Sequence, residues 1–120
     1  MATKRIYLAG PMTGYPGFNF DAFHRAAERL KAAGWRVVDP SKNFDGRTDL
    51  PRSTYLKADV ELLVQCDALA LLPGWEQSRG AKMEYLLARE LDLQVIDATT
   101  LAPPLRLPAA NVELVDTSAV

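Results

Sequence analysis

The chain has 120 residues, a net charge of −1, 24% charged residues and 48% hydrophobic residues. These values are typical of one globular domain with its own hydrophobic core. The small net charge provides neither a basic patch for a polynucleotide nor a polybasic membrane signal. No apolar run has the length of a membrane span, and no signal-peptide pattern is present. We therefore expect a cytoplasmic protein with no nucleic-acid or membrane partner.

The chain contains one cysteine, Cys66, and one histidine, His24. A single cysteine excludes an internal disulfide and a cysteine-based zinc site. Cys66 is expected to be a buried, small hydrophobic residue, and His24 a surface residue of a helix. With so few soft ligands, we expect no transition metal and no cofactor.

The predicted elements alternate between strand and helix along the chain. Apolar runs predict strands at residues 6–9, 35–39, 68–72 and 93–96, and helical spacing predicts helices at 20–33, 52–65 and 78–91. Residues 10–19, 40–51 and 73–77 are predicted loops, and 112–115 is one possible edge strand. Asn19 is the expected N-cap of the first helix, and Gly34 the expected glycine after its end.

Alternating strands and helices indicate a parallel sheet covered on both faces. We expect an α/β, Rossmann-like (flavodoxin-like) three-layer sandwich with a four- to five-stranded, mainly parallel sheet. The domain is expected to span residues 1–98, and the Pro-containing tail 99–120 to pack on it or on a partner subunit. The three predicted loops then lie at the carboxyl edge of the sheet, where such folds bind ligands.

Two acids lie on the predicted inward faces of helices without a basic residue at helical spacing. Glu84 has Gly80, Ala81, Leu87 and Ala88 as its neighbours, and Asp59 is flanked in the same way by Tyr55, Leu56, Leu62 and Leu63. Glu61, in contrast, follows Lys57 by four residues, which is typical of a solvated surface pair. Burial of an unpaired carboxylate is costly and raises its pKa, which is frequent at catalytic sites. The alternative is that both acids rim the core and reach water.

Other residues near the same edge have both a structural and a functional interpretation. Ser78 is either the N-cap of its helix or part of an anion site that Gly80 leaves accessible. Tyr7 is either a strand aromatic or a group that orients a carboxylate. Tyr15 and Trp75 are loop aromatics that could stack on a base. The glycine loop at residues 10–17 lacks both the P-loop and the GxGxxG patterns, so it is a turn or a place of close ligand approach.

Taken together, these motifs resemble the nucleoside 2-deoxyribosyltransferase superfamily, and most closely its small, mostly uncharacterised DUF4406-like branch. The resemblance covers residues 4–96. It rests on a Tyr-Leu-Ala-Gly-Pro-Met-Thr-Gly start at residues 7–14, Asn19-Phe20 before the first helix, Asp59 and Asp67 spaced by eight, and Ser78-x-Gly80-x-x-x-Glu84.

The resemblance implies a role for each matching residue. Glu84 would attack C1′ of a nucleoside or nucleotide and displace the base, Asp59 would act as acid or base, and Tyr7 would orient the glutamate. Ser78 matches the serine that contacts phosphate in the 5′-monophosphate N-glycosidases. Thr13 and Pro11 stand where those hydrolases have an arginine and a serine.

The sequence therefore predicts an N-glycosidase that cleaves the base–(deoxy)ribose bond of a nucleoside 5′-monophosphate or nucleoside. The alternatives are base exchange, as in a 2-deoxyribosyltransferase, and a non-catalytic nucleotide-binding module. The resemblance also implies a homodimer or larger homo-oligomer. The catalytic residues are predicted to be Glu84, Asp59 and Tyr7, and the substrate-binding residues Gly10, Pro11, Met12, Thr13, Gly14, Asn19, Trp75, Ser78 and Gly80.

Overall fold

A computed structural model describes residues 3–103 of the chain. Its sheet has four parallel strands in the order β2-β1-β3-β4. The strands are β1 (Arg5–Ala9), β2 (Arg36–Val38), β3 (Ala68–Leu71) and β4 (Gln94–Asp97). The helices are α1 (Phe20–Ala32), α2 (Arg52–Leu63) and α3 (Arg79–Glu90), and short 3-10 segments cover Pro16–Asn19, Pro40–Gly46 and Trp75–Gln77.

Two apolar clusters lie on opposite faces of the sheet. Because successive strand residues point to opposite faces, Ile6 and Leu8 of β1 enter one cluster, while Tyr7 and Ala9 enter the other. The first cluster contains the buried face of α1, and the second contains residues of α2 and α3. The fold is therefore α/β and Rossmann-like, with helices on both faces of a parallel sheet, as the alternation of elements predicted.

The predicted element boundaries are close to the observed ones. Each strand agrees within one residue at either end, and the first two helices begin where they were expected. Two predicted loops, at residues 40–51 and 73–77, contain 3-10 segments that have no clear periodic signal in the sequence. The possible strand at 112–115 and the tail from residue 104 lie outside the described residues.

Both ends of α1 lie within one residue of the predicted positions, but only the C-terminal end has the expected hydrogen bonds. Gly34 follows the helix with a left-handed φ of +99°, and its N–H donates to the Lys31 carbonyl while Trp35 N–H donates to that of Leu30, as in a Schellman motif. Asn19 occupies the N-cap position of α1, as predicted, but its side chain does not cap the helix. Its backbone is left-handed, and its side-chain amide donates to the Pro11 carbonyl at 2.9 Å instead.

Within residues 3–103, no helix combines the length and the apolar character needed to cross a membrane.

The carboxyl ends of β1 and β3 approach each other closely at the topological switch point of the sheet. A Cβ atom on Gly10 would lie 2.7 Å from the Leu72 Cβ, so the backbone could not stay in place. Chain connections leave β1 and β3 toward opposite faces here, which opens a crevice between the loops that follow them. Glycine at position 10 is thus required by packing at the edge of this crevice.

We predict that Gly10→Ala lowers the free energy of unfolding by about 1–3 kcal/mol, because a close backbone approach must be relieved. Urea unfolding of the variant and the wild type measures this difference. Gly80→Ala is the matched control, since no atom lies within 4 Å of its added Cβ. As alanine favours helix over glycine, the control should be unchanged or up to about 1 kcal/mol more stable. Equal destabilisation of both variants would contradict the packing argument.

Candidate functional site

A cavity of about 590 Å³ lies at the carboxyl edge of the sheet. Its walls are the loop after β1, the loop after β2, one face of α2 and the first turns of α3. The residues that line it and bear on the chemistry are Gly10, Pro11, Met12, Thr13, Tyr15, Phe18, Asn43, Arg47, Thr48, Leu50, Arg52, Tyr55, Leu56, Asp59, Ser78, Arg79, Gly80 and Glu84. The size suits a small organic ligand, such as a nucleoside or nucleotide.

Glu84 lies at the buried end of this cavity, with 6% of its surface exposed. Its Oε2 accepts a hydrogen bond of 2.5 Å from the hydroxyl of Tyr7, which is fully buried in β1. Burial disfavours the charged form and raises the pKa of Glu84 to about 8, although the Tyr7 hydrogen bond acts in the opposite direction. Burial, followed by the nearby Glu84 charge, also raises the Tyr7 pKa well above its ordinary value. Tyr7 therefore stays a hydrogen-bond donor.

Asp59 of α2 lines the same cavity and is half-buried. Burial raises its pKa to about 6, while a 2.8 Å hydrogen bond from the Asn43 side-chain amide stabilises the carboxylate and lowers it. The charge of Asp59 is one of the causes that raise the pKa of Glu84. The effect runs in this direction because Asp59 ionises first, while Glu84 is still neutral.

Between about pH 6 and pH 8, the two acids together hold one proton. Asp59 loses its proton first, near pH 6, and Glu84 loses its proton near pH 8. One carboxyl group can then donate a proton while the other is a carboxylate. This is the combination that acid catalysis with a carboxylate nucleophile requires.

The first half of α2 faces the cavity instead of the core. Arg52, Tyr55, Leu56 and Asp59 all line it, at the spacing that puts residues on one face of a helix. The Tyr55 hydroxyl donates to the Arg47 carbonyl at 2.7 Å and accepts from Leu50 N–H at 3.0 Å. The loop after β2 is thereby held against α2, and forms with it one wall of the cavity.

The start of α3 forms the opposite wall. The Ser78 hydroxyl accepts a hydrogen bond of 3.2 Å from Ala81 N–H, which confirms the N-cap interpretation. The hydroxyl can still donate its own hydrogen to a ligand, because an O–H group both accepts and donates. Gly80 has open space where a side chain would be, so a ligand can approach the backbone here.

Most of the residues that the sequence singled out converge on the cavity. Glu84 and Asp59 line it, and Tyr7 contacts it through Glu84. The predicted binding residues that line it are Gly10, Pro11, Met12, Thr13, Ser78 and Gly80. Tyr15, a loop aromatic that was considered for stacking on a base, also lines the cavity.

The structure does not bring three predicted binding residues into the cavity. Trp75 is a core residue, with 7% of its surface exposed and its ring 4.8 Å from that of Tyr85. Gly14 is exposed in a turn, and Asn19 uses its amide on Pro11. The expected surface pair of Lys57 and Glu61 also does not form, since both side chains are exposed without an ion pair to residues 3–103.

Sequence reasoning placed the loop after β2 at the carboxyl edge but named none of its residues as part of the site, although Asn43 contacts Asp59. The sequence feature that could have indicated these residues was the position of the loop at the carboxyl edge, next to the loops after β1 and β3. The directions of its side chains depend on left-handed backbone at Phe44 and Asp45, with φ of 54° and 55°. Positive φ at such residues is uncommon and has no periodic pattern.

Within residues 3–103, no group of three or more His, Cys, Asp or Glu side chains is arranged to hold a metal ion. Cys66 is buried, and its thiol donates to the Leu62 carbonyl at 3.4 Å. Burial raises the pKa of this thiol to about 11, so it is a poor nucleophile. His24 is exposed on α1 and does not line the cavity.

We predict that Glu84→Gln changes how the stability of the protein depends on pH. Since the pKa of Glu84 rises from 4.5 to about 8 on folding, the contribution of its protonated form to wild-type stability is fully present below pH 4.5 and is lost as the pH rises to about 8. Glutamine keeps the shape and can accept from Tyr7, but it does not titrate.

Urea unfolding at pH 6, 7, 8 and 9 measures this effect. The free energy of unfolding of the wild type, relative to the variant, should fall by about 1 kcal/mol per pH unit up to pH 8 and then level off. Parallel pH dependences of the two proteins over this range would show that Glu84 is not a buried acid of raised pKa.

Comparison with known proteins adds one family. Residues 4–97 match the model of a family described as a domain of unknown function (DUF4406). No curated protein matched the chain. The matched range contains all four strands, the three helices and the whole cavity lining. The chain therefore belongs to the DUF4406 family, as the resemblance to the DUF4406-like branch predicted.

Proposed function

We propose that the protein is an N-glycosidase that cleaves the bond between the base and the (deoxy)ribose of a nucleoside 5′-monophosphate or nucleoside. The observation that carries this proposal is the buried Tyr7–Glu84 hydrogen bond at the end of a cavity that Asp59 also lines. A carboxylate pair of unequal pKa values beside a small-molecule cavity is a recurrent arrangement for glycosyl transfer. The resemblance to the nucleoside 2-deoxyribosyltransferase superfamily supports the same assignment.

In the first step, an oxygen of the Glu84 carboxylate attacks C1′ of the sugar. The bond between C1′ and the base nitrogen breaks, and its electron pair leaves with the base. Asp59 donates a proton to the departing base, so that a neutral base and a glycosyl ester of Glu84 result. Tyr7 occupies Oε2 and thus leaves Oε1 for the attack.

In the second step, the Asp59 carboxylate takes a proton from a water molecule, and the water oxygen attacks C1′. The ester bond breaks, its electron pair returns to Glu84, and the sugar or sugar phosphate leaves. If a second base attacks C1′ in place of water, the same ester gives base exchange. The identity of the acceptor separates a hydrolase from a transferase.

The start of α3 is the proposed contact for the sugar and its 5′ group. Ser78 and Gly80 lie one to two turns before Glu84 and line the same cavity. Arg79 also lines the cavity and carries the positive charge that a phosphate would require. The arrangement favours a 5′-monophosphate over a free nucleoside.

We predict that kcat/KM is bell-shaped in pH, with limbs near pH 6 and pH 8. Below pH 6 both acids are protonated and no nucleophile remains, and above pH 8 both are ionised and no acid remains. Because the Asn43 hydrogen bond lowers the pKa of Asp59, Asn43→Ala should move the acid limb to higher pH. Initial rates at low substrate concentration between pH 4.5 and 9.5 measure both limbs.

Tyr7→Phe is the matched comparison, because it removes a hydrogen bond from Glu84 instead of Asp59. Its alkaline limb should move to higher pH while the acid limb stays in place. If both variants moved the same limb, the assignment of the acid limb to Asp59 and of the alkaline limb to Glu84 would be wrong.

The decisive experiment is a chromatographic measurement of base release from a panel of nucleosides and their 5′-monophosphates. We expect release from monophosphates, and a loss of about 10³-fold or more in Glu84→Ala, which lacks the nucleophile. Glu61→Ala is the control, since Glu61 is an exposed acid of α2. Intact-protein mass spectrometry should detect the glycosyl ester in the wild type and not in Glu84→Ala.

The other outcomes identify the alternatives. Release that rises when a second base is added would make the protein a base-exchanging transferase. Binding of a nucleotide without release over long incubation would make it a non-catalytic binding module. Full activity of Glu84→Ala would overturn the proposed mechanism.

A further inference from the structure

The wall formed by α2 has a defined orientation relative to Asp59. Arg52 is exposed at the start of α2, which places it near the cavity mouth, and the half-buried Asp59 lies two turns, or about 10 Å, further along the axis. Tyr55 and Leu56 lie between them on the same face. A ligand that contacts Asp59 and extends toward the mouth along this wall therefore passes Tyr55 and Leu56 and ends at Arg52.

Most polar groups of this wall already have partners. Arg47 forms two hydrogen bonds with the Asp49 carboxylate, at 3.0 and 3.1 Å. The Tyr55 hydroxyl is engaged by the loop, and the Asn43 amide by Asp59. Arg52 has no hydrogen bond or ion pair with any of residues 3–103, although it lines the cavity. Its guanidinium is a donor with no acceptor capacity, so it selects for acceptors in a ligand.

The inference rests on the proposed function, which assigns the two walls to the two halves of the substrate. If Asp59 protonates the departing base, the base lies along α2, and the sugar and its 5′ group lie toward Glu84 and α3. The edge of the base that faces away from the sugar is then the part nearest to Arg52. The side chains of Leu50 and Leu56 supply apolar contacts for the ring.

We propose that Arg52 is a specificity residue that selects substrates whose base carries a carbonyl oxygen on the edge away from the sugar. In nucleic-acid recognition, arginine donates to the O6 and N7 acceptors of guanine, whereas adenine presents an amino donor at that position. An exocyclic amino group is itself a donor, so it could not accept a hydrogen bond from Arg52. The substrate class is therefore nucleotides of oxo bases, preferred over their amino counterparts.

The test compares kcat/KM within two pairs that differ chiefly in this oxo or amino group. The pairs are inosine and adenosine 5′-monophosphates, and uridine and cytidine 5′-monophosphates, in the ribo or deoxy form that the enzyme cleaves faster. We expect the wild type to prefer the oxo member about tenfold or more. Arg52→Met should bring the ratio close to one, mainly by lowering kcat/KM for the oxo substrate.

Lys57→Met is the matched control, because it removes the same charge from an exposed position of α2 that does not line the cavity. Its oxo-to-amino ratio should equal that of the wild type. If Arg52 had a merely structural role, Arg52→Met would lower kcat/KM equally for both members of a pair. The unchanged ratio would overturn the inference.

The failure of the inference can be told apart from the failure of the proposed function. Base release without an oxo preference would overturn the inference and leave the N-glycosidase in place. With no release from any substrate, the N-glycosidase fails, and calorimetric binding of the same pairs to the wild type and Arg52→Met decides the inference. Oxo-selective binding that Arg52→Met removes would support it, and equal binding or no binding would overturn it.

Discussion

The hydrogen bond from Tyr7 to Glu84 joins the central strand to α3 at the buried end of the cavity. Both partners are held by the fold rather than by each other, because β1 is covered on both faces and α3 packs on the sheet. Burial raises the pKa of each group, and the bond stabilises the one charged form that can exist there, the Glu84 carboxylate. Without a donor at this place, an ionised Glu84 would be an unpaired buried charge.

The cavity exists because α2 does not complete the core. Leu63 is its one fully buried residue, whereas the face that begins with Arg52 lines the cavity. The loop after β2 is tied to that face by Tyr55 and Asn43, and so encloses the space without filling it. The apolar packing of β1, β3, α1 and α3 must therefore offset the cost of the polar groups held here, a common division between scaffold and site.

The sequence predicted what periodicity controls, and missed what loops control. Glu84 and Asp59 were found because helical spacing shows which face points inward, and the alternation of strands and helices then placed both at one edge. Trp75 was expected at the ligand because its segment was predicted as a loop, but the residue begins a 3-10 turn and its ring packs on Tyr85 in the core. Asn43 was missed because no repeat indicates where a side chain in an irregular loop points.

How deeply each acid is buried decides which of the two holds the proton. The periodicity of the sequence cannot predict which acid is buried more deeply. Asp59 is less buried and accepts from Asn43, so it ionises first, and its charge helps to hold the proton on Glu84. These two pKa values favour the arrangement opposite to the one that the proposed reaction requires, in which Glu84 is the carboxylate. In the proposed N-glycosidase reaction, positive charge would develop at C1′ beside Glu84 and basicity at the departing base beside Asp59, and this would reverse the preference as the substrate reacts. A Glu84 carboxylate beside a protonated Asp59 would be favoured only as C1′ becomes positive and the departing base becomes basic. The pair would therefore bind the transition state more strongly than the ground state, as catalysis requires.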